Sequence, residues 1–120
     1  MGQFKMKRVY EQAEDGDGFR VLVDRLWPRG MTKERVGAEV WLKEIAPSVE
    51  LLRWFGHRPE RFEPFRARYV EELKGEAARP HLERLRSWAK EQDVTLLYAA
   101  KDELRNQAIV LKRFLEGDAE

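Results

Sequence analysis

The stretch FRVLVDRLWPRG, residues 19–30, decides the fold of this chain. Its first six residues are rich in β-branched side chains and nearly continuous in apolar character, which is typical of a strand buried on both faces. Residues 94–99 (VTLLYA) have the same character. Residues 4–10 predict a weaker third strand, and residues 40–45 predict either a fourth strand or one turn of helix.

Helical spacing of apolar residues fills most of the chain between and after these strands. Residues 48–55 predict a helix with Ser48 as its N-cap and Gly56 as its stop. Further helices are predicted over residues 64–74, 80–92 and 103–116, with a separate turn at 59–63 because Pro64 suits the first turn of a helix.

This alternation predicts an α/β fold with a small central sheet of three or four strands and helices packed on its faces. The sheet is expected to be mainly parallel, with a mixed sheet left open. Residues 11–18 (EQAEDGDG) are short for a helical crossover, so we expect a hairpin-like or irregular connection between the first two strands.

The composition limits the classes of protein to which the chain belongs. Its 120 residues predict one domain, residues 1–120. The 23 Lys and Arg residues nearly balance 22 Asp and Glu residues, so no global basic field favours nucleic acid. No cysteine is present, which excludes thiol nucleophiles and fits a reducing compartment. No signal peptide or membrane segment is readable, so a cytoplasmic protein without a membrane partner is expected.

Charged and aromatic residues follow the first buried strand directly. Asp24, Arg25, Trp27 and Arg29 fall at its carboxyl end, where open α/β sheets bind their ligands. Arginine offers a two-pronged donor for carboxylate or phosphate, and Trp27 offers a stacking surface. The structural alternative is that Asp24 pairs with Arg25 or Arg29 while Trp27 packs over the sheet edge.

Two further segments carry candidate ligand-binding residues. Lys43 and Ser48 flank a predicted helix N-terminus, which attracts anions, although Ser48 is favoured as an ordinary cap. Lys101 and Asp102 follow the second buried strand, and if the strands are parallel they meet the Arg29 loop. Asp102 alternatively caps the next helix, while Asn106 faces the same cleft or solvates that helix.

The candidate acid and base groups are Asp24, Asp102 and His57. An unperturbed histidine titrates near neutrality, although a histidine such as His57 is more often a solvated or hydrogen-bonded structural residue. With only two histidines and no cysteine, neither a metal site nor a cofactor is predicted. The phosphate-loop patterns GxGxxG and GxxxxGK[ST] and the nucleophile elbow GxSxG are absent from the sequence.

Several of these segments, taken together, resemble YeaO-like proteins, a family catalogued as domain of unknown function 488. The resemblance rests on DRLWPRG at 24–30, WLK and APS within 41–48, LLRWFGH at 51–57, and TLLYAAKD at 95–102 followed by Asn106. It spans nearly the whole chain. It implies a small, single-domain prokaryotic α/β protein without a settled activity, and it carries no catalytic role to any residue.

Three functions follow from these observations. The first is a small-molecule-binding protein or enzyme for an anionic ligand, a nucleotide, phosphate ester or carboxylate, at the carboxyl ends of the strands. Its ligand-binding candidates are Arg25, Trp27, Arg29, Lys43, Ser48, Lys101 and Asn106. The alternatives are a structural or adaptor domain without a ligand, and a nucleic-acid-binding regulator. Glutamates among the arginines of residues 79–91 count against the regulator.

Overall fold

The computed structural model describes residues 2–117, in which four parallel strands form one sheet. The strands are β1 (Phe4–Arg8), β2 (Phe19–Leu22), β3 (Val40–Trp41) and β4 (Val94–Tyr98). Their order across the sheet is β1-β4-β2-β3, and every neighbouring pair is parallel. The predicted α/β class with a mainly parallel sheet is therefore confirmed.

Of the two connections expected between the first two strands, the irregular one is confirmed and the hairpin-like one is wrong. β4 lies between β1 and β2, and Val94 pairs with Phe4 on one side and with Phe19 on the other. Ten residues suffice for this crossover, because the path spans roughly 20 Å while ten extended residues reach about 33 Å. A single 3₁₀ turn, Asp15–Asp17, takes the place that a crossover helix usually has.

Five helices accompany the sheet: α1 (Lys33–Val36), α2 (Val49–Phe55), α3 (Phe62–Lys74), α4 (Arg79–Glu91) and α5 (Gln107–Leu115). The predicted Ser48 and Gly56 boundaries of α2 are confirmed, and a 3₁₀ turn at Pro59–Arg61 precedes α3 as expected.

Most boundaries differ from the predictions by one or two residues, as at α3, which begins at Phe62 rather than at Pro64. The last helix begins at Gln107 rather than at residue 103, because Asp102 accepts the backbone N–H groups of Leu104 and Arg105 in a separate turn. Residues 40–45 contain both predicted alternatives, the short strand β3 and then a 3₁₀ turn at Lys43–Ile45.

The two faces of the sheet are covered unequally. Val21, Val23 and Leu96 point into the larger core, to which α2, α3, α4 and α5 contribute their apolar faces. Leu22 and Leu97 point the other way, into a smaller core closed by α1 and the loops before it. Because β4 is buried along its whole length, it is the strand on which both layers rest.

A buried ion cluster fastens the thinner layer to the sheet. Asp17 and Arg20 are 6% and 4% exposed and form an ion pair, which Lys7 joins at 2.9 Å from the Asp17 carboxylate. Arg20 also donates to the carbonyl oxygens of Val36 (2.6 Å) and Gly37 (3.1 Å), which end α1. Burial favours the neutral form of Asp17, but the bonds from Lys7, the Glu14 amide and Arg20 outweigh it and lower the pKa of this carboxyl.

We expect Asp17→Asn to lower the free energy of unfolding by about 3 kcal/mol, because it leaves the buried Arg20 guanidinium without its counter-charge. Asp15→Asn is the matched control: the same charge is removed from an exposed side chain in the same turn, with an expected change below about 0.5 kcal/mol. Urea unfolding at neutral pH measures both. Equal stability of the two variants would show that the cluster does not hold the layer in place.

Candidate functional site

An open cleft of about 770 Å³ lies at the carboxyl edge of the sheet. One wall is the loop after β2 (residues 24–29), the second is the loop after β4 (residues 99–102), and α2 with its end supplies the third. Parallel pairing brings both loops to one edge, where α/β sheets hold their ligands. A smaller hollow of about 260 Å³ lies between α3 and α5, and no strand-end residue lines it.

Asp24 lies at the junction of three elements beside the cleft. Its side chain accepts the Ala99 N–H at 2.9 Å and the side-chain amide of Gln107, which begins α5. Its carbonyl oxygen accepts the indole N–H of Trp41 at 2.7 Å. The alternative ion pair between Asp24 and Arg25 or Arg29 is absent from residues 2–117. The two donors to the Asp24 carboxyl are neutral amides.

This setting changes the acidity of Asp24. Burial disfavours the ionised carboxylate and raises the pKa of Asp24 to about 6, while the Ala99 and Gln107 hydrogen bonds oppose the shift. The Asp24 carboxyl, which lines the cleft, therefore ionises at a pH close to neutral.

Two predicted ligand-binding residues line the cleft but use their polar atoms inside the fold. Arg25 donates to the carbonyl oxygens of Pro47 (2.9 Å) and Ala46 (3.0 Å). Trp27 donates to the Met31 carbonyl oxygen at 2.7 Å and meets Trp41 edge-on, with ring centroids 5.4 Å apart. These bonds give the loop after β2 a defined shape, and the Trp27 ring forms part of the wall.

Arg29 and Lys101 differ from the other polar residues of the cleft. Both side chains are exposed, both line the cleft from opposite loops, and neither has a side-chain partner within the described residues 2–117. The Tyr10 hydroxyl donates to the Arg29 carbonyl oxygen at 3.0 Å. Gly30 follows with a φ of 75°, which glycine adopts without strain. The backbone at Arg29 is thus positioned while its guanidinium stays available.

Three of the predicted ligand-binding residues lie outside the cleft lining. Lys43 stacks over the Trp41 ring at 5.2 Å. Ser48 caps α2 and donates to Glu72 at 2.6 Å, in agreement with the favoured capping interpretation. Asn106 is 1% exposed, accepts the Ile109 N–H and donates to the Asp102 carbonyl oxygen, so it neither faces the cleft nor solvates the helix.

The other two acid–base candidates line the cleft in different states. Asp102 accepts the Leu104 N–H, which is the main cause of its lowered pKa, and it forms an ion pair with Arg105 at 3.1 Å. Asp102 is ionised and binds the turn before α5, so the prediction that it caps the next helix is wrong: the N-cap of α5 is Asn106. His57 is exposed, adopts a φ of 58°, and its ring centroid lies 6.0 Å from that of Phe55.

Sequence reasoning missed Gln107, the residue that completes the Asp24 junction. Gln107 is 9% exposed and lies four residues before Leu111, on the apolar face of α5. A polar side chain on such a face needs a buried partner, and that requirement is the signal that could have identified it.

Two further searches cover the described part of the chain. Residues 2–117 contain no group of three or more histidine, aspartate or glutamate side chains that could hold a metal ion. No helix within the same residues is long and apolar enough to cross a membrane.

Comparisons with known proteins place this architecture among uncharacterised relatives. A family model described as the inactive DUF488-N3 subclade matches residues 3–120. The chain is 45% identical over 111 residues to the uncharacterised protein YeaO of Escherichia coli, covering 92% of this chain and 95% of the relative. It is 43% identical over 113 residues to an uncharacterised protein of Mycobacterium tuberculosis, covering 94% and 93%. No solved structure matches the chain significantly.

We expect Asp24→Asn to change how stability depends on pH. The folded pKa of about 6 lies above the ordinary value of 3.8, so the stability from the protonated carboxyl is complete below pH 3.8 and lost as the pH rises through 6. Relative to wild type, the variant should therefore gain about 2 kcal/mol between pH 4 and pH 7.

Asp102→Asn is the control for this titration, because the pKa of Asp102 is shifted in the opposite direction. Relative to wild type, its stability should stay nearly constant between pH 4 and pH 7.5 and rise only as the pH falls below the ordinary pKa of 3.8. Urea unfolding of the three proteins from pH 4 to pH 7.5 measures both trends. A pH-independent difference between Asp24→Asn and wild type would contradict the assigned burial of an ionisable Asp24.

Proposed function

The chain belongs to the DUF488-N3 family, in the subclade described as inactive, and from this premise we propose that its cleft binds a small organic anion without transforming it. The pair Arg29 and Lys101 carries the proposal. Two cations that have no side-chain partner within residues 2–117 reach one cleft from two loops, as a ligand with a negative group requires. A volume of about 770 Å³ is in the range of small-molecule sites.

The state of the candidate catalytic groups supports binding rather than chemistry. Both Asp24 oxygens already accept hydrogen bonds from the fold, and Asp102 is held by Leu104, Arg105 and their N–H groups. Ser48 donates its hydroxyl to Glu72, and the chain has no cysteine. A nucleophile with an adjacent free base, which covalent catalysis needs, is therefore not assembled among residues 2–117. The absence of cysteine also supports a cytoplasmic setting for this binding.

The structural or adaptor function is the second candidate, and one observation favours it. The polar atoms of Asp24, Arg25, Trp27 and Asn106 all serve contacts within the fold. A structural function does not account for Arg29 and Lys101, whose side chains have no side-chain partner within residues 2–117. The nucleic-acid-binding function has less support, since the exposed arginines of α4 alternate with the exposed glutamates Glu83 and Glu91.

The double variant Arg29→Gln/Lys101→Gln tests the binding proposal. Thermal melts of wild type against organic acids, phosphates, nucleotides and sulfate should identify at least one anion that raises Tm. At a hundred times its Kd, such a ligand adds about 2.7 kcal/mol and raises Tm by several degrees. The double variant should lose this shift while keeping its own fold, since both side chains are exposed and lack side-chain partners within residues 2–117.

Arg35→Gln/Lys90→Gln is the control for net charge, because it removes two exposed cations that do not line the cleft. It should keep the full shift in Tm. A wild-type protein that no anion stabilises, or a shift that persists in the Arg29→Gln/Lys101→Gln variant, would overturn the proposal and favour the structural function.

A further inference from the structure

We infer that the ligand of this cleft is a carboxylate with an apolar body, an aliphatic or aromatic acid, and not a phosphate ester or a nucleotide. This inference rests on the proposed function, since it names the chemical class of anion that the same site takes. Three features of the cleft carry it: the apolar walls, the state of the backbone donors, and the charge that remains for a ligand.

The walls of the cleft are mainly apolar. Leu52 and Phe55 of α2 face it from one side, and Ala99 and Ala100 from the loop after β4. Leu26 stands at the rim with 78% of its surface exposed, which is unusual for a large apolar side chain. A ligand with an apolar body would remove these surfaces from water, and that burial is the main source of affinity in such sites.

The turn before α5 and the start of α5, which lie beside the cleft, are capped by side chains of the same segment. Phosphate groups bind in proteins to free N–H groups at helix N-termini and in tight loops. Here the Asp102 side chain accepts the N–H groups of Leu104 and Arg105, and Asn106 accepts the N–H of Ile109 in the first turn of α5. These three N–H groups are therefore not free to bind a phosphate ester.

The side-chain donors that remain match one carboxylate. The Arg29 guanidinium offers a planar pair of N–H groups, and Lys101 adds a second cation. Arg25 donates to carbonyl oxygens within the fold, so the side-chain donors left for a ligand are those of Arg29 and Lys101.

A series of straight-chain acids from acetate to octanoate tests the inference by calorimetric titration of the full chain. Affinity should rise about fourfold with each added methylene, because each one buries apolar surface against the walls. Hexanol should bind at least tenfold more weakly than hexanoate, since it lacks the charge that Arg29 and Lys101 recognise. Inorganic phosphate and adenosine monophosphate should also bind at least tenfold more weakly than hexanoate.

Two leucine variants locate the apolar contact. Leu26→Ser should reduce the gain per methylene, because Leu26 lines the cleft. Leu104→Ser is the matched control: Leu104 is 71% exposed on the neighbouring loop, does not line the cleft, and its loss should leave the series unchanged.

The outcomes separate this inference from the proposed function. Tighter binding of phosphate or adenosine monophosphate than of hexanoate would overturn the inference while leaving an anion site in place. A flat series, equal binding of hexanol, or acids that bind the Arg29→Gln/Lys101→Gln variant unchanged would also overturn it. A protein that binds none of these anions would remove the proposed function itself.

Discussion

The Asp24 carboxyl holds the carboxyl edge of the sheet together. One of its oxygens binds the backbone N–H of Ala99, just beyond β4, and the other binds the side-chain amide of Gln107 at the start of α5. A buried carboxyl with neutral donors stays costly to ionise, in contrast to the buried Asp17, which has Lys7 and Arg20 beside it. The cleft has its shape because this contact fixes the loops after β2 and β4 relative to each other.

Some polar side chains at this edge form hydrogen bonds within the fold, and others do not. This difference explains which residues are candidates for binding a ligand. Arg25, Trp27 and Asn106 satisfy carbonyl oxygens and helix N–H groups that burial would otherwise leave unpaired. The side chains of Arg29 and Lys101 form no such bond within residues 2–117, although the Tyr10 hydroxyl holds the Arg29 carbonyl oxygen. Side chains that form no bonds within the fold are the ones available to bind a ligand on a rigid site.

The sequence predicts the central strands and the helix ends well, because these depend on local signals. The apolar runs of β2 and β4 identify strands buried on both faces, and Ser48 and Gly56 mark the ends of α2. The position of β4 between β1 and β2 could not be predicted, since strand order depends on contacts more than seventy residues apart. The length of residues 11–18 left a hairpin-like and an irregular connection open, and only the irregular one is found.

The location of the candidate site was predictable from the sequence. Which of its polar residues are bound within the fold, and which are free for a ligand, was not. Strand-end placement identifies the segments that contain Asp24, Arg29 and Lys101, and all three line the cleft. Which arginine is bound internally depends on the Ala46 and Pro47 carbonyl oxygens, and no local pattern connects these with Arg25. Gln107 and Asn106 are neighbours of similar chemistry, yet the helix start turns one to Asp24 and the other to its own backbone.

The most direct test of the central claim is a two-dimensional ¹⁵N–¹H NMR titration of the full chain with hexanoate. We expect saturable shifts at the backbone amides of residues 25–27, 29 and 99–102 and at the side-chain amide of Gln107, with α3 and α4 unchanged. Shifts that spread over α3 or α4, or a spectrum that does not change, would contradict a carboxylate site between the loops after β2 and β4.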